Sequence, residues 1–276
     1  MLFVLSCNSP KPEPAKADSS SETTTISIDT VDAVNLRISV NGVSFVMKFV
    51  EGGSFMMGAQ NNNPKEPNYD SEADDDETAY SATVQSYYIG ETEVTQALWN
   101  AVMNDKRYRT QKGDECGDNY PANYLWWYES QEFIHKLNDL THMDFRLPSG
   151  AEWEFAARGG KYGNGFKYAG SDDIDNVAWA DGQVHEVMAK APNELGLYDM
   201  SGNVCELCQD GYFVRGGCIA PLERYCSDNK YKVNHKKTEL TPDFPLNRFI
   251  GFRLAFSNLD RSNNSDSYGI RSKSQY

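Results

Sequence analysis

Histidine is scarce in this chain of 276 residues, with only four, at positions 135, 142, 185 and 235. No two of them have the HxxxH or HExxH spacing that sets a pair of imidazoles on one helical face, so a histidine-ligated zinc or iron centre is not expected. Basic residues are also in short supply: 26 Lys and Arg face 40 Asp and Glu, for a net charge of −14. Such a field repels phosphate backbones, which argues against nucleic acid as a partner. No apolar run approaches the roughly 18 residues that a membrane-spanning helix needs. The common enzymatic signatures are missing too. There is no GxSxG elbow, and "EGGSFMMG" (Glu51–Gly58) has glycines without the order of a dinucleotide or P-loop fingerprint.

Large apolar side chains are nearly absent from residues 8 to 30, "NSPKPEPAKADSSSETTTISIDT". So little apolar surface does not offset the entropy of ordering a chain. Residues 8–36 are therefore expected to be a disordered tether, 37–257 one domain, and 258–276 a polar tail. Ahead of the tether, "MLFVLSC" resembles the end of a lipoprotein signal, with Cys7 as the lipidated residue, although a charged start and a longer apolar core are lacking. That reading puts the protein outside the cytoplasm, in a bacterial cell envelope, touching the membrane only through lipid on Cys7. The acidic run "EPNYDSEADDDE" (Glu66–Glu77) lacks EF-hand order and reads as a solvated loop.

Within the domain, "VNGVSFVMKFVEGGSFMMG" (Val40–Gly58) alternates apolar and polar residues on both sides of Glu-Gly-Gly, which predicts a β-hairpin turning there. "SATVQSYYIG" (Ser81–Gly90) predicts another strand. Three helices follow. The first buries Val94, Leu98, Ala101 and Val102, the second starts at Ser130 and buries Phe133, Ile134, Leu137 and Leu140, and the third opens on a Ser149/Glu152 capping box and stops at Gly159. Past Gly160 the pattern breaks into short strands and long irregular stretches. The expectation is an α+β domain with little regular secondary structure, whose loops need cross-links or metal ions.

Four of the six cysteines lie in "LYDMSGNVCELCQDGYFVRGGCIAPLERYC" (Leu197–Cys226). Cys205 and Cys208 have the Cys-x-x-Cys spacing, but zinc would need a second pair and thioredoxin-like chemistry a strand-to-helix context. In an exported protein disulfides come first. A bridge between Cys116 and Cys208 is one possible pairing, which the sequence does not specify.

In order, "FVEGGSFMMG", "YYIGETEVTQALWNAVM", "FRLPSGAEWEFAARGG", "NELGLYDMSGNV", "RGGC" and "IGFRLAF" resemble the formylglycine-generating-enzyme, or sulfatase-modifying-factor, domain. The resemblance runs from about Val40 to Phe256 and implies an α+β fold with a C-type-lectin-like core. It implies calcium bound through Asp199, Gly202, Val204 and Glu206, with side-chain oxygens at the ends and carbonyls between. Catalytic members hold copper(I) on two cysteines and oxidise a sulfatase cysteine to formylglycine. Their two positions fall here on Pro221 and Cys226, and the serine of their Gly-Gly-Ser motif is Cys218. Proline offers copper no side-chain ligand, whereas two soft thiolates are what favour copper(I). The family's two tryptophans in "GNVWEW" are Cys205 and Leu207. Position by position, Cys205, Cys218, Pro221, Tyr225 and Cys226 should gather around the old active-site pocket.

Three fates remain open for those sulfurs: a disulfide, a relocated copper site with Cys218 and Cys226 as the reactive thiolates, or buried filler. The functional expectation is a non-catalytic binding or interaction module that presents its former cleft to a protein or glycan ligand. The alternatives are a divergent copper-dependent oxidase and a structural subunit of an envelope complex.

Overall fold

The computed structural model describes residues 24–66, 68–71, 73, 78–105, 116–179, 181–211, 213–217, 238–239 and 249–257. The first departure from sequence expectation is at the start. Ile26–Thr30 forms strand β1, antiparallel to β2 (Leu36–Val40), inside the stretch assigned to the tether. Polar composition hid the two-residue period of Ile26 and Ile28, which pack against the core that the buried Leu36, Ile38 and Val40 enter.

The hairpin is also displaced. β2 turns into β3 (Val43–Val50) through Asn41 and Gly42, whose φ values of 50° and 82° suit a two-residue hairpin loop with both residues left-handed. At Glu51-Gly52-Gly53 the chain instead leaves this sheet: β4 (Gly53–Met57) pairs with β5 (Tyr80–Val84). Gly52 is needed there because a Cβ would lie 2.5 Å from the Val84 carbonyl oxygen. The single strand expected over Ser81–Gly90 is accordingly two. β5 ends before Gln85, and β6 (Tyr87–Gly90) joins the first sheet, whose order is β1-β2-β3-β6 followed by the last strand, Ala255–Ser257.

β6 is buried on both faces and divides the interior. Tyr88 stacks on Phe256, with ring centroids 4.6 Å apart, in the larger core. Tyr87 and Ile89 face the second core. Helix α1 (Gln96–Met103), capped by Thr95, and helix α2 (Trp127–Thr141) cover the larger core, where Trp99 stacks on Phe133 at 5.3 Å. α2 starts before Ser130, which is buried and donates its hydroxyl to the Trp127 carbonyl. Helix α3 (Gly150–Ala157) carries the Ser149/Glu152 capping box and is followed by Gly159 at φ 85°, as the sequence predicts. It packs Trp153 and Phe155 into the second core. A short helix, α4 (Ile174–Val177), leads into β7 (Ala178–Trp179), which pairs in parallel with β8 (Ser201–Gly202). Strand β9 (Cys205–Leu207) lies between β10 (Phe213–Arg215) and β12 (Ile250–Gly251), with β11 (Thr238–Glu239) beyond β10. The last strand of the first sheet is β13. No helix among the described residues is long and apolar enough to cross a membrane.

Candidate functional site

The segment from Asn193 to Cys208 threads between the two cores. Asn193 anchors its start, donating to the Ala156 carbonyl at 2.7 Å at the end of α3 and accepting from the Leu195 and Leu197 N–H groups. Asp199, Gly202 and Asn203 then take left-handed φ values of 56°, 84° and 58°. At Gly202 a Cβ would lie 2.4 Å from the Trp179 carbonyl oxygen, so only glycine lets the loop close against β7. Asn203 is buried and binds both the N–H and the carbonyl of His185. Beside it, His185 stacks on Trp179 at 3.8 Å, Lys190 lies 4.2 Å from the Trp179 ring centre, and Asp181 holds the His185 Nε2 at 2.8 Å. Sequence reading did not single out this stack, because its members are a loop apart and share no motif.

Where the loop enters β9, Glu206 is fully buried and its carboxylate is claimed by protein donors. Arg253 approaches through Nε and Nη2, both at 2.6 Å, and the Trp153 indole N–H donates at 2.8 Å. Arg253, itself buried, donates two further N–H groups to the carbonyls of Gly90 and Tyr198. Burial works against its charge, but the Glu206 carboxylate more than compensates and raises its pKa further.

Asp199 is also buried and accepts the Met188 N–H at 2.9 Å. Burial raises its pKa to about 6, with help from the Glu206 charge and against the Met188 N–H, Arg253 and His185. Glu93, in the segment joining β6 to α1, is 1% exposed, and neither carboxylate oxygen has a hydrogen-bond partner. Burial, then repulsion from Asp199 and Glu206, pushes its pKa well above the carboxylate range, with Arg253 pulling the other way. Neither Glu93 nor Arg253 was picked out from the sequence. Both sit in quoted phrases, "ETEVT" and "GFRLAF", yet only folding brings them to the loop.

Of the four calcium positions, Asp199, Gly202, Val204 and Glu206 are thus brought into one buried loop, but Glu206 is already paired. The remaining oxygens suit a hard cation such as calcium. No group of three His, Cys, Asp or Glu side chains among the described residues converges to hold a metal, so backbone carbonyls and water would complete any such site.

Cys205 is 1% exposed and disulfide-bonded. Cys116 and Cys208 are thiols, which corrects the idea of a bridge between them and puts the partner of Cys205 outside the described residues. The two sulfurs of Cys-x-x-Cys enter different cores, Cys205 with Leu207 and Cys208 with Trp153, so they do not form a joint metal or redox site. Cys218, Pro221, Tyr225 and Cys226 lie outside the described residues, as does Cys7. Two cavities of about 360 and 540 Å³ open along β3 and α1, and Cys205 lines neither.

Residues 44–258 match the model of the sulfatase-modifying factor enzyme 1-like domain. The chain belongs to that family. Among curated proteins it is similar to the chaperone protein LppX of Paenibacillus barcinonensis, 28% identical over 220 residues, 60% of this chain and 71% of that one. It is also 28% identical to a formylglycine-generating enzyme of Streptomyces coelicolor over 178 residues, 50% of this chain and 52% of the enzyme. Among solved structures, Treponema denticola variable protein 1 matches with a TM-score of 0.64 at 25% identity, covering 82% of this chain and all, 100%, of that one. CarF matches at 0.55 and 25%, covering 77% and 98%. As a member of the formylglycine-generating-enzyme family, the chain has the expected α+β fold.

Proposed function

We propose that this family member is a binding or interaction module rather than a copper-dependent oxidase. The disulfide at Cys205 carries the reading. It oxidises one of the three cysteines that the family resemblance gathers at the old pocket, and Pro221 stands where that resemblance puts the first copper ligand. Copper(I) is favoured by two soft thiolates, and a cystine offers none. The same disulfide favours an oxidising compartment and so supports an extracytoplasmic protein, tethered through lipid at Cys7. One relative is named a chaperone, and the proposal extends a binding role of that kind to this chain. The ligand is a protein or glycan, met by the segment that contains Tyr225. Calcium held by the loop at Asp199 would supply structural rigidity to this module.

The test is to incubate the full chain, with and without copper(I) and a reductant, with a peptide carrying Cys-x-Pro-x-Arg, and to read the peptide by mass spectrometry. The expected result is an unmodified peptide cysteine. Conversion to formylglycine would overturn the module and restore the oxidase that the Streptomyces relative suggests.

A further inference from the structure

We propose that Tyr124, Trp126 and Tyr128, where the chain enters helix α2, form a stacking platform for a neutral glycan chain of flat, equatorially substituted pyranose rings. The platform goes beyond the module reading and uses none of its residues, so either can fail without the other.

The three rings alternate with side chains that face inward. Leu125 is buried in the larger core and Trp127 packs against it, whereas Tyr124, Trp126 and Tyr128 are 38%, 39% and 65% exposed. Tyr69, Tyr80 and Tyr162, the other exposed aromatics among the described residues, stand apart along the chain. The backbone beneath the row is pinned on both sides, since the Ala122 N–H donates to the Val94 carbonyl at 2.7 Å and the Leu125 N–H to that of Ile250 at 3.4 Å. The rings are therefore carried on a fixed edge.

Two of them stand where the backbone favours another residue. Tyr124 has φ 59°, a left-handed conformation that Gly or Asn takes readily and a bulky side chain does not. Trp126 holds the N-cap position of α2, where Ser, Thr, Asp or Asn would accept a hydrogen bond and the donor-only indole does not. Departures from local preference that leave a large ring exposed collect at functional sites.

The row offers no spare charge. Glu129 accepts the Trp126 N–H at 2.8 Å and Glu132 pairs with Lys136 at 3.0 Å, so neither carboxylate is left to draw a cation. No Lys or Arg among the described residues lies over these rings, and the net charge of −14 repels an anionic ligand or lipid surface. Neither phenol makes a hydrogen bond to a described residue. What remains is three π-faces with hydroxyls at the rim. A pyranose with equatorial substituents turns a face of C–H bonds toward such a ring and its hydroxyls outward, and Tyr and Trp provide this contact with only two side-chain torsions to order. A row of three suits a flat β-1,4-linked chain, whose successive sugars lie in one line, better than a coiled α-linked one.

The experiment titrates the full chain with cellohexaose, chitohexaose and maltohexaose, following heat and tryptophan emission. Wild type should bind a β-linked hexasaccharide with a blue shift of emission, and maltohexaose about tenfold more weakly. Trp126→Ser and Tyr128→Ala should each lose about tenfold in affinity, and Tyr162→Ala, at an exposed ring elsewhere, should lose none. Tyr128→Ala removes the most exposed ring of the row and keeps the test open if Trp126→Ser shifts the melting temperature. Wild type blind to both β-linked sugars, or binding that survives both substitutions, would overturn the platform. Equal affinity for maltohexaose would overturn the flat chain as its ligand. Binding to phosphatidylcholine vesicles in place of the sugars, lost in Trp126→Ser, would reassign the row to a lipid surface.

Discussion

Glu154 on helix α3 and Glu93 before helix α1 are buried to the same degree, 0% and 1% exposed, yet the fold treats them in opposite ways. Glu154 accepts from the Gly58 N–H, from Arg158 at 2.7 and 2.9 Å, and from Arg215 at 3.1 Å. Around Glu93 there is no such provision. A carboxylate whose donors come from three separate segments is structural, because folding itself assembles its partners. One buried without any is positioned for something the chain does not supply. Glu206, with Arg253 and Trp153, belongs to the first kind although the family motif places it in the second.

The sharpest way to break this comparison is to turn Glu206 into a second Glu93. Arg253→Met keeps volume but withdraws two charged donors from a fully buried carboxylate. Breaking a buried pair by removing one partner costs about 3–5 kcal/mol. The urea midpoint should fall accordingly, and the variant is fully unfolded at room temperature where total stability is below that cost. A loss under about 1 kcal/mol would mean that Glu206 is satisfied by other means, including a cation.

Acidity gives the next largest effect. Asp199 titrates near 6 in the folded protein against 3.8 as its ordinary value. The folded state therefore holds more protons between those values. The associated stability is fully present below the ordinary value and is lost as pH rises through about 6, a difference of about 3 kcal/mol. In chelator, wild type should thus be less stable at about pH 7.5 than at about pH 5 relative to Asp199→Asn, which lacks the group. Calcium should abolish that relative slope. Parallel pH profiles for the two proteins would remove Asp199 from the account.

What the sequence made legible follows from range. The Ser149/Glu152 capping box is read correctly because it joins residues three apart, and the inward faces of α1 and α2 follow from helical spacing. The turn expected at Glu51-Gly52-Gly53 falls instead at Asn41-Gly42, because that left-handed pair sets the β2–β3 register. β1 was missed because its partner, not its composition, makes it a strand. At the site, Asp199, Gly202 and Glu206 are local to one phrase and were found. Arg253 lies 47 residues from Glu206, and no spacing rule joins them. A disulfide stood among the open readings for the pocket cysteines; Cys205 is disulfide-bonded, with its partner outside the described residues.

The same contrast between satisfied and unsatisfied groups recurs at the helix starts, on the surface, where it should matter least. α3 begins on Ser149, whose hydroxyl accepts the Glu152 N–H. α2 begins on Trp126, which is 39% exposed and gives no side-chain cap; only the reverse half of a box is made, from the Trp126 N–H to Glu129. Bulk water serves the open N–H groups there. Trp126→Asp should therefore stabilise the chain by only about 0.5–1 kcal/mol, by adding an acceptor and a negative charge at the helix N-terminus. Thermal melting would read this as a rise of a few degrees. A fall instead would show that the exposed indole is held by packing that outweighs a cap.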